Sequence, residues 1–196
     1  MRWFGRFKGK RLLNIHIRPA VLEDVDVITA LIERSVRGLQ ANDYTPEQLD
    51  GALGSVFGVD RQLIRDGSYF VVEAEGEAVA CGGWSRRRTL FGADAVSDRD
   101  DQALTPGVDA ARIRAFFVDP GHARQGIGGK LLDACEDAAR AYGFTEAELG
   151  ATLTGVPLYT RYGYRAVERY DAPLPNGLGL PIVRMTKSLT APPAAT

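Results

Sequence analysis

Groups that bind metal or carry redox chemistry are scarce: this chain holds two cysteines and two histidines in 196 residues. No His/Cys spacing fits a structural zinc site, and so no metal is expected. Cys81 and Cys135 stand in apolar stretches, as buried free thiols of a reducing, cytoplasmic compartment do. A dominant charge is missing too. The formal net charge of -1 gives no global attraction to nucleic acid or an anionic membrane. No stretch approaches the roughly 18 apolar residues that span a bilayer, which argues against integral membrane contact. Residues 1–13 are basic, with Trp3, Phe4 and Phe7, but lack the apolar core of a secretory signal. They read as an arm, free or packed on a partner, with weak contact to a membrane surface as the alternative. Residues 14–190 read as one domain and 191–196 as a frayed tail.

What is present is a 45% apolar fraction, ordinary for a single packed core, and one dense run of glycines. In Val118-Asp119-Pro120-Gly121-His122-Ala123-Arg124-Gln125-Gly126-Ile127-Gly128-Gly129-Lys130 an apolar strand breaks into a turn that opens a helix. Ile127, Leu131, Leu132, Cys135, Ala138, Ala139 and Tyr142 recur at helical spacing, which predicts a helix over 127–142. Its first turn has amide N–H groups without intrahelical partners and the positive end of the helix dipole. Gly126 and Gly128 let an anion approach those groups, and Arg124 and Lys130 add positive charge, which suits a diphosphate. A ligand-free turn of small residues is the alternative. A P-loop is excluded because Leu131, not Ser or Thr, follows Lys130. A dinucleotide fingerprint fails on glycine spacing and on the length of the turn after the strand.

The rest of the chain has a legible order. Asn14–Arg18 alternates as a strand, and a helix is predicted over 22–36 with Leu22, Val25, Ile28, Leu31, Ile32 and Ser35 inward. Thr45-Pro46-Glu47-Gln48 is a capping box, so a second helix starts there and turns Leu49, Leu53 and Val56 inward. Residues 69–74 and 77–84 form a hairpin around Glu75-Gly76, with Gly82-Gly83 inviting a bulge or a close backbone approach. Arg86, Arg87 and Arg88 follow, either a solvated strand end or an anion-docking site. Residues 91–108, with four aspartates and Pro106-Gly107, read as a long loop, a lid or edge of the site that favours a cationic amine, or else merely solvated. A central strand over 111–118, a parallel strand over 146–150 and a short helix over 153–162 come next. The last two strands lie near 165–170 and 182–187, and the prolines and glycines of 171–181 predict an irregular loop between them.

The glycine segment resembles the acetyl-coenzyme A motif of the GCN5-related N-acetyltransferase (GNAT) family. Pro157-Leu158-Tyr159-Thr160-Arg161-Tyr162-Gly163-Tyr164-Arg165 resembles that family's C-terminal helix and turn, and the two segments stand in the family's order over roughly residues 15–189. The resemblance implies an α/β fold, a mixed sheet with mostly antiparallel strands and one splayed parallel pair, flanked by helices. It implies acetyl-CoA as cofactor, gripped by Arg124, Gln125, Gly126, Ile127, Gly128, Gly129 and Lys130, with the pantetheine arm along Phe117 and Val118. It gives Tyr159 the role of general acid. The reaction it implies is direct acetyl transfer to an amine, with a small-molecule acceptor first in line. A longer acyl donor, a peptide or protein acceptor, and a non-catalytic coenzyme sensor are the alternatives.

Candidate acceptor contacts are Tyr44 from the loop between the first helices, Glu73 and Trp84 from the hairpin, and Arg86. Two positions depart from the family pattern. Arg112 stands where a catalytic Glu is common, which leaves Asp109, Glu73 and Asp119 as bases acting through water, or deprotonation by bulk water when the acceptor amine has a lowered pKa; Ala123 stands where the motif begins with Arg or Gln, with Arg124 one residue later. Related enzymes often pair through their C-terminal strands, so a homodimer is compatible with the resemblance.

Overall fold

A computed structural model describes residues 14–90 and 102–190. The predicted arm, the tail and most of the aspartate-rich segment therefore lie outside the described residues.

Strand β1 (Ile15–Pro19) leads into a 3-10 turn over Leu22–Asp24 and then α1 (Val25–Leu39). The helix was expected from Leu22. Instead the Asp24 carboxylate accepts from the Val21 N–H (2.8 Å) and from Arg18, which tightens the entry into a separate turn and leaves Leu22 half-exposed. Ile28, Leu31, Ile32, Ser35 and Val36 form the buried stripe of α1. The capping box closes as predicted on α2 (Pro46–Ala52): Thr45 Oγ1 accepts from the Gln48 N–H at 3.3 Å, and Gln48 Oε1 from the Thr45 N–H at 3.1 Å. Helix α3 (Arg61–Arg65), too short to show a period, is capped by Asp60.

Strands β2 (Tyr69–Ala74) and β3 (Glu77–Ser85) form the hairpin, whose turn residues Glu75 and Gly76 both have positive φ (53° and 88°). Primed hairpin turns require that. The central strand β4 (Ala111–Val118) is followed by α4 (Ile127–Tyr142), β5 (Glu146–Thr152), α5 (Val156–Arg161), β6 (Arg165–Pro173) and β7 (Gly179–Ser188). The sheet order is β1-β2-β3-β4-β5-β7-β6, antiparallel except where β4 meets β5. Alternating strand residues feed two cores. One face packs on α4 and α5 through Leu131, Leu132, Cys135, Tyr159 and Tyr164. The other packs on α1, α2 and α3 through Ile28, Leu31, Leu49 and Leu63. Among the described residues no helix is long and apolar enough to cross a membrane.

The expected irregular loop over 171–181 is corrected. Pairing continues through Asp171↔Pro181, Ala172↔Leu180 and Pro173↔Gly179, so only residues 174–178 turn. Both prolines sit where no ladder donor is needed. Pro173 ends the edge strand β6, and Pro181 lies one residue beyond the last β5 pairing, Thr152↔Ile182.

Candidate functional site

The parallel pair β4 and β5 is joined only at Ala111↔Ala147 and Arg112↔Glu148, where Arg112 also bonds Glu148 at 3.2 Å. Beyond that point the strands separate. A bulge sharpens the separation: Gly83 pairs with Arg114 and Cys81 with Phe117, so Ala115 and Phe116 together face Gly82. Ala115 takes a left-handed φ of 54°, costly for a residue with a Cβ, and its carbonyl accepts from the Tyr69 hydroxyl at 3.0 Å. Gly82 makes room, since a Cβ there would lie 2.6 Å from the Phe116 ring. The predicted close approach at Gly82 is real; its cause, the bulge in the neighbouring strand, has no signature in the residues Ala115-Phe116.

The splay opens a cavity of about 190 Å³. Its apolar lining comes from Leu39, Val56, Phe57, Phe116, Phe117 and Ile182, and its polar lining from Ser35, Gln40, Arg114, Thr152, Thr154 and Tyr159. The Val118 N–H on the splayed edge donates to Ser35 Oγ at 3.2 Å. Tyr159, on α5, is buried and stands edge-on to Phe116 (ring centroids 6.3 Å apart) and Tyr164 (5.7 Å). Among the described residues its hydroxyl has no hydrogen-bond partner, and burial raises its pKa well above the ordinary phenol value.

The glycine turn meets this cavity at its mouth. After the 3-10 turn Pro120–His122, Arg124 (φ 61°) and Gly126 (φ 84°) are left-handed, and α4 begins at Ile127 with no side-chain cap. Thr45 and Asp60 cap α2 and α3, whereas α1 and α5, like α4, start without a side-chain cap. Nothing lies within 4 Å of a Cβ added at Gly126, whereas one at Gly128 would touch Leu158 (3.3 Å) and Val118 (3.6 Å), both cavity-lining residues. A Cβ at Gly129 would fall on the Tyr162 hydroxyl. The open amides of a 16-residue helix thus stand directly beside the wedge. Phe117, Val118, Arg124, Gln125, Gly126, Ile127, Gly128, Gly129, Lys130 and Tyr159 come together in this region.

The four acceptor-side candidates do not join them. Trp84 and Arg86 lie at the closed end of the wedge, since Ser85 pairs with Arg112. There Trp84 packs on Tyr142 and Phe144, and the Arg86 guanidinium covers the Tyr142 ring at 5.4 Å. Glu73 is held by Arg18 at 2.8 Å on β2. Tyr44 is a structural pin: its hydroxyl donates to the Pro181 carbonyl and accepts from the Leu153 N–H, both at 2.8 Å, and burial pushes its pKa up to about 12. Of the other water-mediated base candidates, Asp109 caps the Thr105 N–H. Burial acts to raise Asp119, but Arg34, the Gly121 N–H and His122 outweigh it and hold the carboxyl below its usual range. Neither lines the cavity. Among the described residues no cluster of His, Cys, Asp and Glu is placed to hold a metal ion.

Sequence reasoning missed Gln40, Arg114 and Asp60. Arg114 is buried on β4, and its Nη2 lies 3.0 Å from Asp60 Oδ2, with side-chain exposures of 2% and 0%. A strand arginine reads as solvated until the partner is known.

No curated protein matches the chain. Solved structures match its fold: a GCN5-related N-acetyltransferase from Rhodopseudomonas palustris is 23% identical, with TM-score 0.67 over 92% of this chain and 99% of that one. PaiA N-acetyltransferase from Thermoplasma acidophilum, in complex with coenzyme A, is 14% identical with TM-score 0.60 over 90% and 99%. A GNAT family acetyltransferase from Brucella melitensis, in complex with acetyl-CoA, is 16% identical with TM-score 0.55 over 91% and 90%. The model of the acetyltransferase (GNAT) family matches residues 35–164, the span that contains the splayed strands, the uncapped helix and Tyr159. Wedge and sequence lead to the same place, and this chain belongs to the GNAT family of acetyltransferases.

Proposed function

We propose that the protein transfers acetyl from acetyl-CoA directly to an amine. One observation carries the reading: the uncapped start of α4 touches the cavity wall at Gly128, and Tyr159 opens on the same cavity. The residues present fit the cofactor. Gly126 leaves clear space over the amides, Arg124 and Lys130 supply charge beside them, and two structural relatives carry coenzyme A or acetyl-CoA. Acetyl-CoA supplies an activated thioester.

The protein's own part is binding and proton management. Amides of the first turn of α4 hold diphosphate, and the separated edges of β4 and β5 leave extended backbone for the arm. For that arm to bond the Val118 N–H, Ser35 Oγ must yield it. Tyr159 is protonated at neutral pH and gives a proton to the departing sulfur. Direct transfer is supported by the thiols, since Cys81 and Cys135 are fully buried, carry raised pKa values and do not line the cavity. The acceptor fits a small molecule or the exposed end of a larger one, because the cavity is about 190 Å³.

The test is Tyr159→Phe. Turnover read as free coenzyme thiol falls about 100-fold or more, while calorimetric affinity for coenzyme A stays within about twofold. Saturable coenzyme binding without acetyl transfer to any amine in the native protein supports a sensor instead. No binding at millimolar coenzyme A overturns the reading.

A further inference from the structure

Four of the cavity's polar side chains are already engaged. Ser35 Oγ accepts from the Val118 N–H, Thr152 Oγ1 from the Gly155 N–H, Thr154 donates to Asp43, and Arg114 bonds Asp60. Gln40 is different. Its backbone is fixed at the C-terminal end of α1, the N–H donating to the Val36 carbonyl and the carbonyl accepting from Asp43 and Tyr44. The residue is 6% exposed, its side chain lines the cavity, and its buried Oε1 has no hydrogen-bond partner among the described residues. Rotation about the last bond exchanges the amide oxygen and nitrogen, so either can meet a ligand. A buried amide oxygen left unbonded is unfavourable, and a group in the cavity that bonds it relieves that cost.

Resting on the transferase reading, we propose that Gln40 is the acceptor-binding residue, its carboxamide bonding the amine nitrogen, and that the acceptor is a primary amine entering uncharged. Among the described lining residues the one charged side chain is the cation Arg114, so an ammonium finds no counter-charge there. A neutral carboxamide accepts from an amine N–H without needing charge. This favours α-amines, whose reference pKa is about 8, over alkylamines of the lysine kind at about 10.4. At neutral pH the former present far more free base.

The experiment measures acetyl transfer from saturating acetyl-CoA to glycinamide, an α-amino amide, and to propylamine, with coenzyme A affinity followed by calorimetry. The native protein prefers glycinamide at pH 7.5. Gln40→Met, similar in volume, raises the glycinamide KM about tenfold, the worth of one neutral hydrogen bond, and leaves coenzyme affinity within about twofold. Gln40→Glu shifts preference toward propylamine, a change that mere structural damage does not produce. Equal rates for native protein and Gln40→Met on both amines, zero included, overturn the proposal while coenzyme binding stands. Failure of the native protein to bind coenzyme A overturns the transferase reading and this proposal with it.

Discussion

Replacing Asp60 tests how the floor of the cavity is held up. Its Oδ2 lies 3.0 Å from Arg114 Nη2, and its Oδ1 accepts from the Gln62 and Leu63 N–H groups (3.0 and 3.3 Å) at the start of α3. Depriving a buried guanidinium of its counter-ion costs about 3–5 kcal/mol. Loss of an N-cap costs about 1 kcal/mol more. Asp60→Ala therefore removes about 4–6 kcal/mol, against a total stability of about 5–15 kcal/mol for a domain. Asp60→Asn keeps the cap, loses the charge, and should cost about 3–5 kcal/mol. The double variant Asp60→Asn/Arg114→Met, with both charges gone, regains at least about 2 kcal/mol over Asp60→Asn. Urea unfolding followed by circular dichroism measures all three. If the single variants fall within about 1 kcal/mol of native, or the double variant is no more stable than Asp60→Asn, the buried pair is not what secures β4 to α3.

Three further outcomes are expected. Gly129→Ala drives its Cβ into Tyr162, and should lower stability by about 1–3 kcal/mol and weaken coenzyme A binding; Gly129→Ala/Tyr162→Ala recovers both if the collision is the cause. Burial pushes Cys81 up to about 12 and Cys135 well above its usual value, so Ellman's reagent should find no thiol in the native protein and two after denaturation; reaction of the native protein refutes this. Hydrogen bonds from Arg18 and Arg87 hold Asp24 and Asp66 below the ordinary aspartate range. A carboxyl depressed in the folded state stabilises above its unfolded pKa and loses that contribution as pH falls through the folded one, so Tm should drop below about pH 4, and Asp66→Asn should flatten the drop.

The long helix, the hairpin and the start of α2 are legible because each has a local signal, whereas the splayed parallel pair follows only from the family resemblance. Apolar period 3.6 marks α4, Glu75-Gly76 marks the hairpin, and Thr45 with Gln48 marks α2. The differences between expectation and structure share a cause. Pro173 and Pro181 read as breakers, because a sequence does not reveal that their missing donors fall on an edge and past the last ladder pair. Trp84 and Arg86 read as site residues because antiparallel register, not chain position, decides which end of the wedge they reach. Nothing local to Gln40 or Asp60 marks either as buried. Their burial depends on α1, α3 and β4 meeting, contacts that no local pattern encodes.

A sheet whose left and right portions are zipped through only two residue pairs has a soft coordinate, the angle between β1–β4 and β5–β7. Any molecule lying across the gap acts as a brace on that angle. Amide exchange along β4 and β5 should then become more uniform when the gap is filled, as two loosely joined blocks come to open as one. For such an architecture, rigidity is something the occupant lends to the protein.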